Sequence, residues 1–223
     1  MNSEIPWSVY LPPADFGDKH ILATRDNNGF NAGMLMLRVH EWTVNMLAEV
    51  LALKALVPDT DLPFYDQSAI YHICDRPGYA EHFIYQPRRW WNRYHHDKDG
   101  EEKGNMLIHF AGIGAVNGGY TEKQRVMTKF LEGVEQKPEE WAKSLKETGR
   151  EMEIEDYWNV LRKSRKLLEK AKGSKKEGKI ETKDTAVDER FRDLVHVVLK
   201  WADDAGKLSE ANTRLEKAMG GEK

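Results

Sequence analysis

Apolar residues crowd into short runs in the first half of the chain and spread to helical spacing in the second. Residues 20–24 form a brief apolar run between Asp18 and Asp26 and read as a strand. Residues 29–33 are glycine- and asparagine-rich and predict a tight polar turn. Residues 34–39 (Met-Leu-Met-Leu-Arg-Val) are almost continuously apolar, which predicts a strand buried on both faces. Residues 40–57 place Trp42, Met46, Leu47, Val50 and Leu51 near helical spacing, and Pro58 ends that helix. A loop at 59–63 leads to a second helix at 64–74, packed by Ala69, Ile70 and Ile73. Residues 83–86 and 90–91 read as short extended pieces, 97–104 as a charged loop, and 106–110 as a third core strand.

Past Thr121 the pattern is helical. Thr121 with Gln124 is spaced as a capping box for a helix over 122–136, and Pro138 opens another short helix. Residues 154–172 predict a long amphipathic helix carrying Tyr157, Trp158, Leu161, Leu167 and Leu168. A Gly-Ser-Lys segment at 173–179 reads as a linker, followed by helices near 187–205 and 208–219. Alternating strands and helices predict an α/β fold, with a small mixed sheet of three to five strands and a loosely packed helical C-terminal arm. The expected division is a domain at 1–150 and a charged helical extension at 151–223. With so few strands an open sheet edge is expected, and pairing with a second copy or another chain would cover it.

Composition narrows the class. With 40% hydrophobic and 32% charged residues, the chain has a core and a heavily solvated remainder. The net charge of −3 gives no global basic field for nucleic acid or an anionic membrane. Between 160 and 183, ten Lys or Arg stand against three Glu, but without interleaved aromatics or a known nucleic-acid module. Nucleic acid is therefore not an expected partner. The single cysteine, Cys74, allows neither an internal disulfide nor a cysteine metal cluster. No apolar run is long enough to span a bilayer, and the N-terminus has no signal-peptide pattern.

Three motifs hold the candidate chemistry: Asn28-Gly29-Phe30-Asn31-Ala32-Gly33, Asp66-Gln67 and His109-Phe110-Ala111-Gly112. The first and last border predicted strands, and in open α/β sheets ligands bind at strand ends. The asparagine-glycine motif is either a plain turn or a bend where a sugar ring can approach backbone. Asp66 either satisfies first-turn amides of its helix or, with Gln67, faces sugar hydroxyls. His109 is either a satisfied core histidine or a metal ligand, and one imidazole among carboxylates suits Mn²⁺ better than Zn²⁺. Arg88-Arg89-Trp90-Trp91 combines groups that bind phosphate and stack on sugars, unless the indoles belong to the core. His95-His96-Asp97 reads as surface loop.

Together with Arg38 and the Glu41-Trp42 pair, these motifs resemble glycosyltransferase family 34, the fungal and plant galactosyl-, mannosyl- and xylosyltransferases. The resemblance implies a partial GT-A (nucleotide-diphospho-sugar transferase) fold. It also implies retaining transfer of a hexose from a UDP- or GDP-sugar to a glycan acceptor, with Mn²⁺ as cofactor. Carried over by residue, His109 would bind the metal. Asn28, Asn31, Ala32, Gly33, Trp90, Trp91 and Gly112 would line the sugar side. Asp66 and Gln67 would be catalytic, Asp66 stabilising positive charge on the anomeric carbon. The family's Asp-x-Asp metal motif, expected upstream of the glycine turn, has no counterpart there. Asp59-Thr60-Asp61 and Asp97-Lys98-Asp99 match only as text. The expectation is the acceptor-side half of a transferase, inactive alone. The family resides in Golgi membranes, whereas this chain, lacking anchor and signal, would be cytoplasmic. The competing expectation is a non-catalytic interaction protein that binds a partner through its C-terminal helices.

Overall fold

The computed structural model describes residues 1–76, 78–98, 100–112, 119–176 and 205–218. They form two compact units, each built from two stretches of chain. The first is Met1–Leu11 with Pro87–Ile154, and the second is Pro12–Gln86 with Glu155–Lys223. The expected boundary at 150 does not coincide with either unit.

The second unit holds a three-stranded mixed sheet. Its centre is β1 (Ile21–Asp26), antiparallel to β2 (Gly29–Leu37) and parallel to β3 (Phe83–Tyr85). The third core strand is thus β3, not the predicted 106–110. β1 and β2 meet in a hairpin whose turn is Asn27-Asn28, with Asp26 opposite Gly29. Gly29 adopts φ +97°, a left-handed conformation that glycine takes without a side-chain clash. The predicted turn at 29–33 is therefore the first half of a strand, and the chain reverses two residues earlier.

The 34–39 run is not buried on both faces. β2 lies at the sheet edge, Leu37 is partly exposed, and Val39, beyond the strand, is fully exposed. Helices α1 (Glu41–Leu56) and α2 (Tyr65–Cys74) cover the sheet, and Met46, Leu53, Ile70, Ile73 and Cys74 join Ile21, Ala23 and Phe83 in one core. His40 caps α1, its Nδ1 accepting the Trp42 N–H at 3.0 Å.

His20, at the foot of β1, stacks on His40 (centroids 4.3 Å apart) and packs against His82 (5.0 Å) and Trp42 (5.2 Å). Burial, and then the neighbouring His40, His82 and Arg38, hold its pKa below the usual 6.5. The folded chain thus binds fewer protons than the unfolded chain at mildly acidic pH. The contribution is fully present above about pH 6.5 and is lost as the pH falls from there through the lowered folded value. Thermal melting is expected at a lower temperature near pH 5.5 than near pH 7.5, with a shallower slope in His20→Phe. An equally steep slope in His20→Phe would show that another group is responsible.

The predicted loose arm is part of this unit's core. Helix α6 (Arg150–Lys176) buries Tyr157, Trp158 and Leu161. The Tyr157 hydroxyl donates to the Tyr85 carbonyl, Trp158 packs on Phe16 (5.1 Å), and Arg162 clamps Asp15 with two nitrogens. Helix α7 (Ala205–Ala218) buries Leu208, Ala211, Asn212 and Leu215 at helical spacing, and its Asn212 meets Ser164 at 2.8 Å. The predicted linker is helical as far as Lys176. Residues 177–179, and the predicted 187–205 helix up to residue 204, lie outside the described residues.

The first unit contains α3 (Arg88–Trp91), the parallel pair β4 (Arg93–Tyr94) and β5 (Ile108–His109), α4 (Gly119–Gln136), α5 (Pro138–Trp141) and the first turn of α6. Residues 90–91 are helical rather than extended. Thr121 lies inside α4, so the predicted capping box does not start it. Arg150 is buried and donates to the Gly104 carbonyl and to Asn105 Oδ1 (2.7 Å), tying the loop before β5 to α6. No described helix is long and apolar enough to cross a membrane.

Candidate functional site

The β1–β2 ladder breaks beside the asparagine-glycine motif. Leu22 faces Met36 and Thr24 faces Asn31, so residues 32–35 of β2 stand opposite Ala23 alone. This wide bulge removes ladder partners from its own amides. Side chains of the motifs replace them. The Ala32 N–H donates to Gln67 Oε1 (3.0 Å), and the Gly33 N–H donates to Asn31 Oδ1 (3.0 Å). Asn31 is itself buried, and its Nδ2 donates to Asp26 Oδ2 (2.9 Å). Asp26 also accepts the Asn28 N–H through Oδ1 (2.7 Å).

Asp26, Asn31, Ala32, Gly33 and Gln67 therefore form one connected group. Asn28 contributes its backbone at the hairpin turn, and its side chain is exposed. Asp26 was legible only as part of the Asp26-to-Gly33 run. Its role in orienting Asn31 had no separate signal in the sequence.

Asp66 precedes Gln67 in the first turn of α2, and its carboxylate is exposed. The helix cap is Phe64, whose N–H donates to Ser68 Oγ (2.9 Å), so Asp66 is not the cap residue. Tyr65, between them, has φ +47° and is the one non-glycine residue at positive φ among those described. Such a conformation costs about 1–2 kcal/mol for an ordinary side chain, and strain of this kind gathers at ligand sites. Tyr65 is also highly exposed. Sequence reading missed it, since no local pattern marks a left-handed tyrosine.

The remaining candidates belong to the first unit. His109 ends β5, half-buried, with Nδ1 2.9 Å from Asn92 Oδ1 and its ring edge-on to Tyr94. An amide oxygen only accepts, so in this contact Nδ1 donates to Asn92. Among the described residues, no three His, Cys, Asp or Glu side chains gather where they could hold a metal. These residues do not by themselves fit a Mn²⁺ site. Gly112 has φ +69° and an open surrounding.

Trp90 and Trp91 are fully buried, which corrects their reading as sugar platforms. Trp90 Nε1 donates to Glu153 (2.7 Å), and its ring stacks with Tyr10. The text-level Asp97-Lys98-Asp99 match is also structural at its first residue. Asp97 accepts Arg88 and the Tyr94 N–H, and these contacts hold its carboxyl below the usual range despite the opposing effect of burial.

Residues 13–118 match the model of the galactosyl transferase GMA12/MNN10 family. That span contains every motif residue named above. Over 115 residues the chain is 31% identical to an alpha-1,2-galactosyltransferase of Schizosaccharomyces pombe (strain 972 / ATCC 24843). The alignment covers 48% of this chain and 30% of that protein, so the chain spans about a third of the length of this curated relative. No solved structure matches.

Proposed function

We propose that this chain carries the sugar-binding side of a GT-A-type hexosyltransferase that moves a hexose from a UDP- or GDP-sugar to a glycan acceptor. The names of the family and of the relative favour galactose. One observation carries the reading: Gln67 fixes the Ala32 amide, and with it the bulge, one residue from the exposed Asp66. The ordered bend offers backbone at close range to a sugar, because Ala32 and Gly33 have little or no side chain. The exposed Tyr65 ring supplies a stacking face of the kind that Trp90 and Trp91 cannot.

In transfer, the bond from the anomeric carbon to the diphosphate oxygen breaks, a bond to the acceptor hydroxyl oxygen forms, and the hydroxyl proton passes to the departing diphosphate. Positive charge develops on that carbon, and in this reading the exposed Asp66 carboxylate stabilises it. Gln67 and Asn31 are positioning residues that hold the bend. His109 is proposed as one Mn²⁺ ligand. The described residues supply no complete site for the metal, so no step is assigned to it.

Calorimetric titration of the chain with UDP-galactose, GDP-mannose and free galactose tests the reading. At least one sugar is expected to bind, and Asp66→Ala to weaken it about tenfold, the loss of one hydrogen bond to a charged group. Gln67→Ala should weaken it as well by releasing the bend. Failure of all three sugars to bind, or parental affinity in both variants, would refute the proposal.

A further inference from the structure

The first unit contains a cavity of about 620 Å³ between α4, α5 and the segment after β4. That volume is in the range of sites for small ring-containing ligands. One wall is aromatic, with Phe130 edge-on to Trp141 (5.0 Å) and to Phe110 (5.6 Å). The rest is mainly cationic. Lys103 and Lys137 both reach the single Glu140 carboxylate, so one negative charge serves two ammonium groups. Lys129 lines the same cavity with no ion-pair partner among the described residues. Arg125 is occupied by Glu122, which grips it through two nitrogens. On the facing side His95 stacks on Phe110, with its Nε2 3.6 Å from Glu101 and its Nδ1 buried and unpartnered.

With Arg125 neutralised by Glu122, three lysines line the cavity against the two carboxylates Glu101 and Glu140. This cationic surplus favours an anion, and the aromatic wall strengthens the attraction. A phosphate monoester carries about −1.5 to −2 charge at neutral pH and three strong acceptor oxygens, one for each of the three lysines, whereas a carboxylate has two. Lysine ammonium groups bind phosphate as point charges without needing bidentate geometry. We propose that this cavity binds the phosphate monoester of a ring compound, a sugar phosphate or a nucleoside monophosphate. The phosphate sits among Lys129, Lys103 and Lys137, and the ring lies on Phe130 and Trp141. Most of the wall comes from α4 and α5, which follow the family-matched segment, so this site is separate from the transfer reading.

Titration calorimetry of the full chain with glucose 6-phosphate, adenosine 5′-monophosphate, inorganic phosphate and glucose decides the matter. At least one monoester is expected to bind, more tightly than inorganic phosphate and more weakly as salt rises, while glucose does not bind. The two monoester arms identify the source of the ring. Lys129→Gln should weaken binding about tenfold, and Trp141→Ala should lower affinity for the monoester but not for inorganic phosphate. Lys129 is exposed, so its replacement leaves the fold intact. Asp66→Ala should bind the monoester as the parent does, which separates this site from sugar transfer. Absence of binding by both monoesters, or parental affinity in Lys129→Gln, would overturn the proposal. So would inorganic phosphate binding as tightly as the monoesters.

Discussion

Tyr157→Ala is expected to destabilise the chain by about 3–5 kcal/mol, the usual result of truncating a fully buried aromatic side chain. Tyr157 has no exposed surface, and its hydroxyl donates to the Tyr85 carbonyl at the end of β3. The alanine variant opens a cavity beneath the sheet and also leaves that carbonyl without this donor. Tyr157→Phe keeps the ring and loses only the hydrogen bond, so its cost should be about 1 kcal/mol. Chemical denaturation of the three proteins measures both values. Were α6 a loosely attached arm, both substitutions would stay within about 0.5 kcal/mol, as surface changes do. The pair therefore decides between a core helix and an appendage.

Trp90→Ala is expected to cost a similar amount, about 3–5 kcal/mol, with little direct effect on sugar affinity. Trp90 is fully buried, stacked with Tyr10 and hydrogen-bonded to Glu153. Losing the indole also removes one donor from Glu153, which keeps its contact with Arg89. A chain of this length should show a melting temperature lower by roughly 10 °C. A sugar platform would give the opposite pattern: unchanged melting and lost sugar binding. Trp90→Phe should recover part of the stability, since it restores ring packing without the N–H.

These two residues show what the sequence made legible. The spacing of Tyr157, Trp158 and Leu161 announced a helix with an apolar face, and that helix is present. What the face packs against is a long-range fact, set by Phe16 and Tyr85 many residues away. Trp90 and Trp91 sit in a four-residue helix after Pro87, too short for any periodicity to reveal. Local pattern also failed at β2. A continuous apolar run predicts double burial, yet here it supplies an edge strand with a bulge. Helix α1 is apolar nearly all round, so its existence could be read but not its buried side. Met46 is in the core, whereas Leu51 is highly exposed.

Of the candidate residues legible in the sequence, Asn31, Ala32, Gly33 and Gln67 are joined by hydrogen bonds within one unit. The reason for the connection could not be read in advance. Strand register, which fixes where the ladder breaks, depends on pairings that no single stretch encodes. Asn31 and Gln67 turn out to hold the bend, and the exposed groups beside it are Asp66 and Tyr65. His109 and Gly112 belong to the other unit, and among the described residues no group of three or more His, Cys, Asp or Glu could hold a metal.

The central claim is that the locked bulge of β2 and the start of α2 form a surface that receives the sugar of a nucleotide sugar. Amide NMR of the labelled chain, titrated with UDP-galactose and separately with UDP, tests it most directly. The expected result is that the Ala32, Gly33, Asp66 and Gln67 amide signals move with UDP-galactose and stay in place with UDP alone. Those four signals remaining fixed while others in the chain respond to UDP-galactose would contradict it.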